Sequence, residues 1–318
     1  MTSTLDPINL HFVNFISNGT PLYQKSYPEA RRTLEDIQRH NPAANISQQK
    51  IQVPYGAGNV ETIIFRPKAA SGSLPVIFYT HGGGWILGSP NAHGSLMEDL
   101  ARQTNAAVVF PSYTPAPEAQ YPTQFEESFA VLKHIMGNGA KLNIKSDTVT
   151  LAGDSVGGHM AIAMVQMVHQ RQLPLKISHM VLFYPVTDTH QKSNTYREFA
   201  NGPYLTERTM DWMIDAFLPN PEDRCNALTS PLTFASDKEL SRFPPTTLFV
   251  SGADPLIGEG EAFGHRLQKA RVETTLLKAD GQIHDYVMLE PVRKSATAKA
   301  VVELASARLR DAMRGLRH

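Results

Sequence analysis

The sequence predicts an α/β fold on a mostly parallel sheet, and three observations carry that expectation. Short β-branched runs alternate with apolar-periodic segments of helical length from residue 75 onward. One run, Pro75-Val-Ile-Phe-Tyr-Thr80, is continuously apolar, as a strand covered on both faces must be. Another leads through Gly153-Asp-Ser-Val-Gly157 directly into a helix-favouring stretch. That is the strand–turn–helix setting in which G-x-S-x-G exposes a nucleophile.

In chain order, residues 1–45 read as helical and separate from the rest of the chain. Leu5, Ile8, Phe12, Phe15 and Ile16 fall at helical spacing, and Pro28 suits the first turn of a second segment. From about 48 the period changes to strands around Ile51/Val53 and Val60/Thr62/Ile64, with a turn at 54–58. The buried strand at 75–80 is followed by a helix near 91–104, a strand at 106–110 and a helix at 122–136. The strand at 148–152 feeds a helix at 156–170, and a strand follows at 179–184. Residues 186–225 form an insertion between core strands. Then come a strand at 246–251, a helix at 259–270, a strand at 273–278 and a C-terminal helix from about 292. The chain therefore divides into an N-terminal helical part (1–45), a core (46–185), an insertion (186–225) and the rest of the core (226–318).

Composition narrows the function. With 318 residues, 42% of them hydrophobic, the chain can bury a large core. Lys+Arg and Asp+Glu both number 30, so no charge excess points to nucleic acid or an anionic membrane. The single cysteine, Cys225, cannot form an internal disulfide, and no Cys/His spacing resembles a zinc site. Met1-Thr-Ser-Thr-Leu-Asp-Pro7 lacks the basic and apolar regions of a signal peptide, and residues 314–318 match no targeting tag. No apolar run approaches the roughly 20 residues that span a bilayer. The expectation is a cytoplasmic protein with no membrane partner, no cofactor and no metal; a homodimer is compatible with the sequence.

The chemistry gathers around Ser155. Glycines at 153 and 157 remove Cβ atoms where the turn presses backbones together, and the helix start offers unpaired N–H groups. Directly after the buried strand comes His81-Gly82-Gly83-Gly84-Trp85. Three consecutive glycines are costly in entropy, and a backbone free of side chains can aim N–H groups at an oxyanion. His81 reads as a structural brace for this loop. A serine nucleophile needs a base and an orienting acid, in the order Ser, acid, His. Asp254 and His284 each follow a strand, where open α/β sheets gather their sites. Asp280 and Asp285 are rival acids, but both lie too near His284 in sequence to reach its Nδ1 easily.

These motifs together resemble the hormone-sensitive-lipase-like family of α/β-hydrolase carboxylesterases. The matching residues are 81–84, 113–118, 153–157, 254–256 with Glu259 and Gly260, and 281–285. The resemblance implies an α/β-hydrolase fold with a mostly parallel eight-stranded sheet flanked by helices. It also implies a helical cap built from 1–45 and 186–225. By it Ser155 is the nucleophile, His284 the base and Asp254 its orienter, with the amides of Gly83, Gly84 and Val156 as oxyanion hole. The chain departs from the family twice. Thr114 stands where an arginine is common, and Gly258 where an aspartate is usual.

The expected activity is cofactor-independent hydrolysis of short- to medium-chain or acetyl esters of small molecules through an acyl-enzyme. Trp85, Tyr204, Leu205, Trp212 and Phe217 are candidate pocket walls. An unperturbed histidine base would make kcat/KM rise through about pH 6–7.5. An amidase or formamidase, a non-hydrolytic acyl-transfer or condensation enzyme, and a non-catalytic binding protein are the alternatives on the same residues.

Overall fold

The computed structural model describes residues 4–315. The outermost residues of the two terminal stretches, 1–3 and 316–318, lie outside the described part. The chain opens with helices α1 (Pro7–Ile16) and α2 (Tyr27–Ile37), then a hairpin of β1 (Ile46–Tyr55) and β2 (Gly58–Pro67). Next come β3 (Leu74–Thr80), α3 (Gly94–Thr104), β4 (Ala107–Pro111), α4 (Thr123–Asn138), β5 (Ile144–Asp154), α5 (Val156–Gln170) and β6 (Lys176–Phe183). The expected insertion carries α6 (Asn194–Glu198) and α7 (Glu207–Phe217). Two short helices, α8 (Pro231–Phe234) and α9 (Asp237–Leu240), lead to β7 (Thr246–Ala253), α10 (Ile257–Lys269), β8 (Thr274–Ile283) and α11 (Ala296–Met313).

The eight strands form one sheet in the order β1-β2-β4-β3-β5-β6-β7-β8. Strand β2 runs antiparallel to both β1 and β4; the remaining neighbours are parallel. Every residue of β7, and 149–154 of β5, is buried, as double coverage by helices requires. Helices α3 and α11 pack on each other and on the sheet, α4 and α5 form a second pair, and α10 lies against β7 and β8. Helix α5 is buried along 156–168, which suits its run of glycine, alanine, valine and methionine with no charged residue. Among the described residues no helix is long and apolar enough to cross a membrane.

The face of α1 differs from the expected stripe. Phe12 is buried, but Phe15 is 77% exposed and Ile8 37%. Leu5, Phe12 and Ile16 of the stripe do pack on the core, and Asn9 joins them on the inward face. Asn9 wins its buried place by hydrogen bonding: its Nδ2 donates to Gln282 Oε1 at 3.0 Å and its Oδ1 accepts the Ile283 N–H at 3.0 Å. Asp6 N–H also donates to Gly281 O at 2.9 Å. The first helix is thus fastened to the end of β8, next to His284. The C-terminal helix starts at Ala296 rather than 292 because Ser295 caps it, its Oγ accepting from Ala298 N–H.

Candidate active site

Ser155 sits between β5 and α5 with φ 54° and ψ −124°. A non-glycine residue in this region stores about 1–3 kcal/mol and persists only where its surroundings impose it. Here they do. Ser155 N–H donates to Phe183 O at 2.9 Å and Val186 N–H to Ser155 O at 3.1 Å, stitching the turn to the end of β6. A Cβ on Gly157 would lie 2.1 Å from Thr80 O, and one on Gly153 would lie 2.3 Å from Gly157 O. Only glycine lets the turn close so tightly.

Three side chains expected from sequence come together at the carboxyl ends of β5, β7 and β8. His284 Nε2 lies 2.8 Å from Ser155 Oγ, and His284 Nδ1 lies 2.6 Å from Asp254 Oδ2. The second Asp254 oxygen accepts from Leu256 N–H at 2.9 Å. All three residues are buried. With Nδ1–H donated to Asp254, Nε2 is left as an acceptor for the serine hydroxyl proton. Burial disfavours the imidazolium of His284. The carboxylates of Asp254 and Asp285, with the Asp254 hydrogen bond, outweigh that and push its pKa up to about 9.

The glycine loop after β3 is held from beneath by groups that the sequence pattern does not single out. Asp154, the variable residue of G-x-S-x-G, is completely buried. It accepts from Gly82 N–H at 3.0 Å and Tyr79 OH at 2.6 Å, and lies 3.3 Å from His93 Nε2. Burial alone would raise its carboxyl; the neighbouring His93 and these three hydrogen bonds hold it below its ordinary value. A Cβ on Gly82 would come within 2.2 Å of Asp154 Oδ2, so the first glycine is required by the brace itself. His81 is clamped flat between Phe110 and Tyr113, with centroids 4.9 and 4.1 Å away, and burial drives its pKa down to about 3. It is a neutral brace, as its sequence context suggests. Beyond it the backbone turns through three successive positive φ values, 100° at Gly83, 64° at Gly84 and 59° at Trp85. Val156 is the first residue of α5, and its N–H is among the four without an intrahelical acceptor.

The candidate wall residues divide. Trp85 is wholly buried, stacked on Phe217 at 4.2 Å and edge-on to His159, which makes both rings part of a core cluster. Trp212 stacks on Tyr27 at 5.3 Å, Tyr204 meets the Phe12 ring at 5.9 Å, and Leu205 is buried. Helical phase turns Met213 rather than Trp212 toward the glycine loop: a Cβ on Gly84 would strike Met213 Sδ at 2.1 Å. Sequence gives no sign of Met213, because nothing marks the phase of α7 relative to a loop some 130 positions earlier. Cys225 is exposed.

Both departures from the family pattern have local counterparts. Where an arginine is common, Thr114 donates from N–H and Oγ1 to Glu127 at 2.6 and 2.8 Å. Arg31 of α2 then reaches the same loop, pairing with both Glu118 oxygens at 2.7 and 2.6 Å and donating to Ala116 O and Ile86 O. A Cβ at Gly258 would lie 3.0 Å from Ser193 and Thr195 side-chain atoms. Thr195 Oγ1 instead accepts from Gly258 N–H and donates to Pro255 O, fixing the Asp254 loop with a hydroxyl.

Replacing Asn9 by alanine tests how the first helix serves the site. It leaves the buried Ile283 N–H without its acceptor, at a cost of about 1–3 kcal/mol. Because Ile283 precedes His284, kcat should fall severalfold while KM changes little. Steady-state kinetics well below the melting temperature checks this; an unchanged kcat with a lowered Tm would make the contact purely structural.

The alpha/beta hydrolase fold family matches residues 77–288 of the chain. The chain is 50% identical over 309 residues, 96% of its own length and 97% of the relative's, to an esterase of Gibberella moniliformis. Among solved structures, carboxyl esterase 2 of the mycorrhizal fungus Tuber melanosporum superposes with a TM-score of 0.90 at 33% identity, covering 98% of this chain and all of that one. A thermostable esterase from Pseudomonas putida gives 0.94 at 29% identity, covering 98% of each chain.

Proposed function

The chain belongs to the alpha/beta hydrolase family as a carboxylic ester hydrolase, and on that basis we propose that Ser155 is its nucleophile, His284 its general base and Asp254 the orienting acid. The observation that carries the reading is the continuous chain of contacts from Ser155 Oγ through both nitrogens of His284 to Asp254, 2.8 and 2.6 Å long. Ser155 Oγ adds to the ester carbonyl as Nε2 takes its proton. The oxyanion is received by the amides of Gly83, Gly84 and Val156, each such donor being worth about 3–4 kcal/mol in the transition state. Nε2 then protonates the leaving alcohol, and water attacks the acyl-enzyme with the same histidine as base.

The substrates are short- to medium-chain or acetyl esters of small molecules. Support comes from the crowding above the glycine loop, where Met213 of α7 lies over Gly84, with Leu205 and Tyr204 in the same insertion. That insertion, together with the N-terminal helices, forms the cap. Its two parts meet through Phe12 with Tyr204, Tyr27 with Trp212, and Arg208 over the Tyr23 ring at 4.8 Å. A series of p-nitrophenyl esters from acetate to palmitate tests the substrate class, with matched anilides for amide cleavage. The expected optimum is C2 to C6, with anilides slower by orders of magnitude. An optimum beyond C10, or equal rates on anilides, would overturn it.

The base assignment carries its own pH signature. Nε2 can accept the serine proton only when His284 is neutral. A pKa raised to about 9 therefore keeps most of the enzyme inactive at neutral pH, and activity is gained as pH rises through that value. The rising limb of kcat/KM should lie well above the pH 6–7.5 expected for an unperturbed imidazole. A pH–rate profile with chemistry rate-limiting decides; a limb centred below pH 7 would contradict the two-carboxylate environment.

A further inference from the structure

The residue after the base, Asp285, makes no bond to the reacting atoms in the acyl-transfer steps, although its carboxylate helps to raise the pKa of His284. It is a non-glycine residue at φ 66°, a conformation that aspartate tolerates better than most but that still needs holding. Tyr204 of the insertion holds it, the phenol donating to Asp285 Oδ2 at 3.4 Å. The other oxygen, Oδ1, lies 3.5 Å from His284 Nε2 and has no hydrogen-bond partner, although the side chain is only 14% exposed. It is therefore a buried acceptor left open beside the nitrogen that handles protons in the reaction.

That position relates Asp285 to one half of the substrate. To protonate the departing alcohol, Nε2 must come within hydrogen-bonding distance of the leaving oxygen. A group one or two bonds beyond that oxygen then falls within reach of Asp285 Oδ1. We propose that Asp285 is a specificity residue for the alcohol half, accepting a hydrogen bond from a hydroxyl or ammonium group vicinal to the ester oxygen, so that preferred substrates are monoesters of diols or amino alcohols. This rests on the Ser155–His284 reading. A hydrocarbon leaving group would leave this buried oxygen with the His284 ring at 3.5 Å but no hydrogen-bond donor, and sites with such groups reject analogues that lack the donor. Burial first, then the nearby Asp154 and Asp254, push Asp285 up to about 6 against the pull of His284 and His93. Above that pH it is a carboxylate, and a cationic donor gains most.

Two isosteric pairs test it: 2-hydroxyethyl against propyl acetate, and 2-(dimethylamino)ethyl against 3-methylbutyl acetate, each ratio corrected for hydroxide-catalysed rates. The wild-type protein should favour the donor-bearing ester of each pair by about tenfold to a hundredfold in kcat/KM, the range expected for a hydrogen bond to a charged group. In Asp285→Asn, which the left-handed backbone accommodates, the preference for the ammonium ester should fall to near unity, whatever the absolute rate. Asp285→Ala should also abolish the preference for the hydroxyl ester. Equal or better turnover of the hydrocarbon esters by wild type, or ratios unchanged in Asp285→Asn, would overturn the proposal. Turnover of none of the four acetates, with Ser155 inert to a fluorophosphonate, would overturn the Ser155 reading and this one with it.

Discussion

Ser155→Ala should fold as the wild-type protein does and lose about 10³-fold or more in kcat. The substitution deletes one hydroxyl that lies 2.8 Å from His284 Nε2, while the turn around it is held by backbone bonds to Phe183 and Val186 that alanine keeps. Covalent catalysis disappears; the cap and the loop amides stay, so a residual rate from binding and electrostatics survives. His284→Ala should cost about as much. Residues that act as one unit give grossly non-additive losses, so the double variant should be scarcely slower than either single one. A Ser155→Ala protein with most of its esterase activity would remove the nucleophile assignment.

The second large effect is expected from a residue that never touches substrate. Asp154→Ala withdraws the acceptor shared by Gly82 N–H, Tyr79 OH and His93, all in the buried floor of the glycine loop. Removing one member of a buried charge-assisted cluster costs about 3–5 kcal/mol, because its partners remain desolvated and unpaired. The loop amides should also lose their aim, for a further loss of about 10²-fold in kcat, comparable to removing an oxyanion donor. Asp154→Asn keeps an acceptor for one or two of those donors and should fall between. Thermal unfolding and steady-state kinetics on both variants check this. A wild-type Tm and kcat in Asp154→Ala would mean that the loop holds itself.

How much of the fold and site is legible in the sequence depends on whether the signal is local. The strand–helix alternation, the elbow at 153–157 and the glycine run at 82–84 are local patterns, and the structure contains the elements they imply. The sequence pattern ends strand β8 at 278, yet the strand runs to Ile283. Its segment Lys278-Ala-Asp-Gly281 has turn composition, and its pairing with β7 shifts register between Ser251 and Ala253. Asn9 escapes notice for the opposite reason. Apolar periodicity discards a polar residue, and only the fold shows that its side chain satisfies groups 273 and 274 positions away. Arg31 clamping Glu118 and Thr195 bracing the Asp254 loop are of the same kind. Each is a contact from a distant part of the chain that no local pattern announces. Asp285 is a rival acid in the sequence, disfavoured only by its nearness to His284. The geometry puts it on the Nε2 side of the ring, where it cannot orient the base through Nδ1 but does face the reaction.

The central claim, that Ser155 is activated by His284 at the elbow, is tested most directly by labelling the intact protein with a fluorophosphonate and mapping the adduct by peptide mass spectrometry. One stoichiometric adduct is expected, on Ser155, formed faster as pH rises toward about 9 and essentially absent in His284→Ala. An adduct on another residue, or no adduct under conditions where the protein hydrolyses esters, would contradict it.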